Sequence, residues 1–139
     1  MELIPQLRKE HKEIKYSLDS IKAMISQKPG EDNLLLELHD LRIIIIAHLE
    51  LENKLLYPAL NKSEYKELRM LGKSFSEEMA KIAKGVFAFF DRYGKKDISI
   101  LTKSIKFKDD FLEIYQAIIK RVSIEEGILF PAYERYIKE

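Results

Sequence analysis

The chain contains no cysteine. Without thiols, a disulfide framework, thiolate catalysis, an iron–sulfur cluster and a cysteine-ligated zinc site are all excluded. Glycine is also scarce, with 5 residues in 139, and the sequence has neither a Gly-rich phosphate-binding loop nor a nucleophile elbow. Catalysis by protein groups alone is therefore disfavoured. An enzyme built on this chain would have to take its chemistry from a bound metal ion, and we favour a function without catalysis.

No charge of one sign dominates the sequence. It has 24 Lys and Arg against 23 Asp and Glu, a net charge of +1, and both signs occur along every segment. There is thus no charged block that would bind nucleic acid or a membrane surface. The isoleucine run at residues 43–46 is far too short to span a bilayer, and the first residues lack the order of a signal peptide. The composition predicts a cytoplasmic protein with a single domain over residues 1–139.

Apolar residues recur at steps of three and four along four stretches of the chain, a pattern typical of amphipathic helices. The stripes run from Ile4 to Ile25, from Leu34 to Leu55, from Leu68 to Phe89 and from Ile105 to Leu129. We expect one bend at residues 27–30 and another marked by Pro58 and the polar segment Asn61-Lys62-Ser63. Ser63 is a suitable cap for the third helix, and the fourth should begin near Asp97. Short loops between such helices predict an all-α, up-down-up-down four-helix bundle.

Four polar residues stand where these stripes predict inward-facing side chains. They are His11 in the first helix, His48 and Glu52 in the second, and Glu125 in the fourth. His48 and Glu52 are four residues apart and share one helix face. Burial without partners would cost each residue roughly 1–3 kcal/mol, so we expect them to bind one another or a common cation. Two imidazoles with two carboxylates suit iron, manganese or zinc.

The chain contains one internal repeat, at the ends of the second and fourth helices. The sequence of residues 48–59 recurs in modified form at residues 121–132. Each copy places a carboxylate, Glu52 or Glu125, four residues after its first position. The histidine that opens the first copy is replaced by Arg121 in the second. Only part of a symmetric metal site would survive this exchange.

The sequence resembles the hemerythrin-like, or HHE cation-binding, domains over essentially its whole length. Three segments carry the resemblance: Leu7-Arg8-Lys9-Glu10-His11, His48-Leu49-Glu50-Leu51-Glu52 with Tyr57-Pro58, and Glu125-Glu126 with Leu129-Phe130-Pro131. The resemblance implies a four-helix bundle around a non-haem di-iron centre. It also implies that His11 and His48 are terminal ligands of one iron. Glu52 and Glu125 would be the carboxylates that bridge two irons.

Two positions depart from the pattern of this family, and both concern the second iron. The third helix carries Glu77-Glu78-Met79 where the family places a Glu-His pair, and Arg121 replaces a histidine in the fourth. The second iron thus lacks its imidazoles, and Glu78 is the candidate for a substitute oxygen ligand. We interpret Met79 as a core residue, since hard iron prefers nitrogen and oxygen to thioethers.

These residues favour a protein that binds one or two non-haem metal ions, with iron expected and zinc or manganese also suitable. The resemblance implies binding or sensing of O2 or NO, or a part in iron handling. The alternative is a metal-free interaction or structural bundle in which Arg121 replaces the metal cation. A di-iron oxidase or peroxidase ranks last. The expected partners are a metal ion and a small diatomic ligand, and the aromatic residues of the third helix are compatible with a homodimer.

Overall fold

The computed structural model describes residues 2–27, 31–94, 101 and 103–137. These residues form an up-down-up-down bundle of four long helices with no strand among them, so the all-α prediction is confirmed. Helix α1 is Leu3–Gln27 and α3 is Lys66–Tyr93. Helix α2 comprises Glu31–Leu51, a π-helical turn Glu52–Leu56 and a last α-helical turn Tyr57–Asn61. Helix α4 comprises Ile105–Ile124, a π-helical turn Glu125–Leu129 and the segment Phe130–Tyr136.

A polar layer divides the hydrophobic core of the bundle into two clusters. The larger cluster includes Ile14 and the stacked aromatic rings of α3 and α4. The smaller cluster includes Leu7 and the apolar residues at the ends of α2 and α4. His11 lies between Leu7 and Ile14 on α1 and is buried, and the inward-facing polar residues of α2 and α4 also lie at this level. Apolar packing on both sides therefore holds the polar layer in place.

Both π-helical turns begin at a carboxylate of the sequence repeat. The N–H of Tyr57 donates to the carbonyl oxygen of Glu52, and the N–H of Phe130 donates to that of Glu125. A proline follows one position later in each copy, and proline lacks an N–H and crowds the carbonyl group of the preceding turn. The wider π turn accommodates this proline within a continuous helix. The predicted bend therefore begins later than Pro58: α2 continues through the proline and ends at Asn61, and the chain turns before α3 begins at Lys66.

The starts of α3 and α4 depend on serines in different ways. Ser63 does not cap α3 as expected, because its hydroxyl accepts a hydrogen bond from the N–H of Tyr65 at 3.1 Å, before the helix begins. Ser104 does cap the first segment of α4 through its side chain. The start expected near Asp97 and the turn at residues 28–30 lie outside the described residues. None of the helices, over the residues described, has the length and hydropathy of a membrane-spanning segment.

Candidate metal centre

The structure brings the four inward-facing polar residues together in the polar layer. They are His11 from α1, His48 and Glu52 from α2, and Glu125 from α4, and all four are buried. One ligand atom of each lies within 4.8 Å of those of the others, and we call these residues the His/Glu cluster. Metal bonds to nitrogen and oxygen are about 2.0–2.2 Å long, which places the donors around one ion roughly 3–4 Å apart. The His/Glu cluster needs little contraction to enclose a single ion.

The imidazole of His11 lies between two carboxylates of α4. Its Nε2 is 2.9 Å from Oε1 of Glu125, within the cluster, and its Nδ1 is 2.9 Å from Oε2 of Glu126, which is partly exposed. The ring also stacks on Phe130, with the two ring centroids 5.1 Å apart. These contacts hold the ring in one orientation, with Nε2 directed into the cluster.

The imidazole of His48 has a similar arrangement with partners on other helices. Its Nδ1 is 2.8 Å from Oε1 of Glu10 on α1, and its Nε2 is 3.4 Å from Oε2 of Glu52. Burial acts to lower the pKa of His48, but the adjacent Glu52 and the charge of Glu125 outweigh it and raise the pKa to about 9. Glu10 and Glu126 stand beside the inward-facing positions and are not recognisable as site residues from the sequence, because adjacent residues on a helix do not face the same way.

Glu52 is the least satisfied residue of the His/Glu cluster. It is 0% exposed, and neither of its carboxylate oxygens has a hydrogen-bond partner among the described residues. Burial raises the pKa of Glu52 to about 7, against the lowering effect of His48. A buried carboxylate without hydrogen-bond partners is costly even with the imidazole of His48 at 3.4 Å, and a cation between the four ligand atoms would satisfy its oxygens. The residues present therefore fit a metal ion, both by donor chemistry and by this unpartnered group.

Arg121 points into the bundle and is 5% exposed. Its Nε donates to Oε2 of Glu125 at 2.9 Å, and its Nη2 donates to the hydroxyl of Tyr57 at 3.1 Å and to the carbonyl oxygen of Phe75 at 2.9 Å. The guanidinium carbon also lies 4.6 Å from the centroid of the Phe75 ring. Glu125 thus contacts His11 through one oxygen and Arg121 through the other.

Arg121 and Glu125 each stabilise the charged form of the other. Burial acts to raise the pKa of Glu125, but the hydrogen bond with His11 and the charge of Arg121 hold it below its ordinary value. Burial also acts to lower the pKa of Arg121, and the neighbouring Glu125 outweighs this effect and raises it. Both groups are therefore ionised at neutral pH. Burial, followed by the charge of Glu52, raises the pKa of Tyr57, so its hydroxyl stays protonated.

Helix α3 presents an apolar wall to the His/Glu cluster. A cavity of about 30 Å³ lies between the cluster and the side chains of Met79, Ile82, Ala83 and Val86. This volume suits one or two water molecules or another small molecule. Met79 packs against the core, as expected. Glu78, the candidate substitute ligand, is exposed on α3, and the structure does not bring it to the cluster.

Replacing Glu52 with glutamine is expected to stabilise the metal-free protein at pH 8. The folded-state pKa of about 7 lies above the ordinary value of 4.5. The stability that protonated Glu52 contributes is therefore fully present below pH 4.5 and is lost as the pH rises through 7. Glutamine carries no charge to desolvate, so the variant should gain roughly 2 kcal/mol at pH 8 and nothing at acidic pH. Urea unfolding with a chelator present, at pH 4 and at pH 8, measures the difference.

The control for this prediction is Glu50→Gln, which changes an exposed glutamate on the same helix. Its free energy of unfolding should stay within about 0.5 kcal/mol of the wild type at both pH values. A Glu52→Gln variant that is less stable than the wild type at pH 8 would contradict the prediction. Such a result would mean that the charge of His48 stabilises the ionised carboxylate by more than its burial costs.

A sequence model of one protein family matches nearly the whole chain. The family is the Hemerythrin HHE cation binding domain, and the match covers residues 2–133. No curated protein and no solved structure matches the chain. The matched range contains the complete His/Glu cluster together with Arg121. The chain therefore belongs to the hemerythrin HHE cation-binding domain family, whose members bind metal ions.

Proposed function

We propose that this protein is a hemerythrin-like protein whose His/Glu cluster holds a non-haem metal ion, with iron as the expected ion. The observation that carries the proposal is the buried carboxylate of Glu52, which has no hydrogen-bond partner among the described residues. His11 and His48 would supply nitrogen ligands, and Glu52 and Glu125 would supply oxygen ligands. Iron and manganese accept this mixed set well, and zinc also binds to such ligands.

The surroundings of the cluster support one ion per chain. A second ion would need ligands from the side that α3 and Arg121 occupy. The side chains of α3 there are apolar, and the guanidinium of Arg121 already binds Oε2 of Glu125 at 2.9 Å. A second metal ion would also be repelled by the charge of Arg121 in the low-dielectric interior. In this proposal Arg121 takes the place of the second cation, and Glu125 joins the metal ion to the guanidinium.

Iron accepts more ligands than tetrahedral zinc, so an iron ion held by these four residues would keep coordination positions free for a small diatomic molecule such as O2 or NO. The cavity of about 30 Å³ beside the cluster supports this role, because its volume suits a molecule of that size. The apolar side chains of α3 limit the access of water, and Arg121 holds Glu125 in position. We therefore propose binding or sensing of a diatomic ligand, or iron handling, and we assign no catalytic step to the chain.

A metal-free ionic bundle is the second candidate function class. The observation that favours it is the set of three buried contacts made by Arg121, which donates hydrogen bonds to a carboxylate, a hydroxyl and a carbonyl oxygen. In that state the charged His48 and Arg121 would balance the two carboxylates of the cluster. The two carboxylate oxygens of Glu52 argue against the metal-free bundle, because they have no hydrogen-bond partner among the described residues. A structural ion cluster should satisfy its buried polar groups.

Elemental analysis tests the proposed function directly. The protein is purified without chelator, loaded anaerobically with ferrous iron and freed from excess metal. We expect about one iron per chain, because only one set of nitrogen ligands meets the carboxylates. A value near two would place a second ion beside Arg121 and overturn the proposed stoichiometry. A value near zero would select the metal-free bundle. Parallel loading with Mn²⁺ and Zn²⁺ then identifies the preferred ion.

A further inference from the structure

Two glutamates outside the His/Glu cluster contact its imidazoles. Oε1 of Glu10 lies 2.8 Å from Nδ1 of His48, and Oε2 of Glu126 lies 2.9 Å from Nδ1 of His11. We infer that Glu10 and Glu126 are positioning residues that fix the tautomer and ring orientation of the two histidines across helices. Glu10 acts on His48, and Glu126 acts on His11. The inference rests on the proposed metal-binding function and assigns a role to residues outside the ligand set.

The physical basis is the donor and acceptor inventory of the two groups. An ionised carboxylate only accepts hydrogen bonds, so a ring nitrogen that faces it must carry the proton. A neutral imidazole has one N–H, and a proton on Nδ1 leaves the lone pair on Nε2. Nε2 of His11 and Nε2 of His48 are the nitrogens that face the cluster carboxylates. In the metal-free protein both nitrogens of each ring thus face carboxylates. A metal ion in the cluster would take the lone pair of Nε2, and the outer glutamates would then hold the remaining proton of each ring on Nδ1.

The pairing crosses the helices instead of following the sequence. Glu10 stands next to His11 on α1, yet its carboxylate contacts His48 on α2. Glu126 stands next to Glu125 on α4, yet its carboxylate contacts His11 on α1. Successive residues on a helix point in different directions, so Glu10 reaches α2 while its neighbour His11 faces Glu125 on α4. Glu125 and Glu126 both reach His11, at its two different ring nitrogens. A change at Glu10 should therefore be felt by its spatial partner and not by its sequence neighbour.

A merely structural role would give a different result. Glu126 is 40% exposed and Glu10 is 15% exposed at their side chains. The exposure of Glu126 means that its contact contributes little to stability. If either glutamate were only structural, removing it would leave metal affinity and the imidazole tautomers unchanged. A positioning role predicts a loss of metal affinity of about 10–100-fold per residue, with the fold intact. The tautomer of each ring separates the two roles.

The test uses Zn²⁺ as a diamagnetic probe and the full chain labelled with ¹⁵N in histidine. Long-range ¹H–¹⁵N correlation spectra report which ring nitrogen carries the proton in each imidazole, and calorimetric titration reports Zn²⁺ affinity. In the wild type both bound rings should be protonated on Nδ1. Glu10→Ala should alter the signals of His48, and Glu126→Ala those of His11, with a loss of affinity of about 10–100-fold in each case. The matching glutamine variants keep an acceptor and should recover part of the affinity.

The control is Glu13→Ala, which removes an exposed glutamate from α1. If Glu10→Ala and Glu126→Ala bind Zn²⁺ as Glu13→Ala does, with unchanged tautomers, the inference is overturned while the proposed function stands. A change at His11 on replacing Glu10, with His48 unaffected, would also overturn the crosswise assignment. If the wild type takes up no Zn²⁺, the inference is also overturned, because the two histidines would then not be ligands of this ion. The iron measurement above then decides separately whether the proposed function also fails.

Discussion

Replacing His48 with alanine is expected to abolish stoichiometric metal uptake. The substitution removes one of two nitrogen ligands and leaves the buried carboxylate of Glu52 without its nearest imidazole. Zinc binding by a four-ligand site is worth roughly 10–16 kcal/mol, so one ligand contributes about 3 kcal/mol and its loss weakens binding by about 100-fold or more. The helix content should stay unchanged, because the hydrophobic clusters on both sides of the polar layer remain intact.

Calorimetric titration with Zn²⁺, together with elemental analysis of the iron-loaded protein, measures this effect, and far-UV circular dichroism checks the helices. His39→Ala is the matched control, because His39 is an exposed histidine on the same helix. It should bind metal as the wild type does. Undiminished binding by His48→Ala would mean that the metal site lies outside the His/Glu cluster.

Replacing Arg121 with methionine is expected to destabilise the metal-free protein by about 3–5 kcal/mol, the usual cost of breaking a buried ion pair. Methionine fills much of the volume but leaves Oε2 of Glu125 without its cation. It also removes the donor to the hydroxyl of Tyr57 and to the carbonyl oxygen of Phe75. These three buried acceptors would lose the hydrogen bonds that Arg121 donates. Urea unfolding at pH 7 with a chelator present gives the change in the free energy of unfolding.

Arg92→Met is the control, because Arg92 forms an exposed ion pair with Asp110 at 3.3 Å. Such a pair is worth at most about 1 kcal/mol. Arg121→Lys should fall between the wild type and Arg121→Met, since lysine restores the charge but not the planar set of donors. A loss below about 1 kcal/mol in Arg121→Met would contradict the view that Arg121 is the fixed cation of the polar layer.

The helices and their inward faces were predictable because local periodicity sets the direction of each side chain. On α2 the stripe Leu41, Ile45, His48 and Glu52 is buried throughout. An amphipathic helix turns this face inward whichever neighbours it meets, so polar residues on the face are buried with the apolar ones. The convergence of His11, His48, Glu52 and Glu125 follows from their stripe positions and the bundle topology.

The sequence was less informative about side-chain direction and helix ends where a local sequence preference competes with packing. Glu78 stands directly beside the stripe of α3, and one residue along a helix turns the side chain by about 100°, so it faces solvent. Pro58 carries a helix-breaking signal, yet the π turn before it lets α2 continue. Propensity alone does not reveal such a turn, because packing of the helix on both sides of the proline supports it.

The fold class, the helix faces and the residues of the His/Glu cluster were determined by the sequence alone. Only the tertiary structure decided that Arg121 turns inward to bind Glu125, and that Glu10 and Glu126 contact imidazoles on other helices. Periodicity defines the direction in which a side chain leaves the helix. The partner of a long charged side chain depends on several rotatable bonds and on gaps between helices that are distant in sequence, and these are set when the bundle packs.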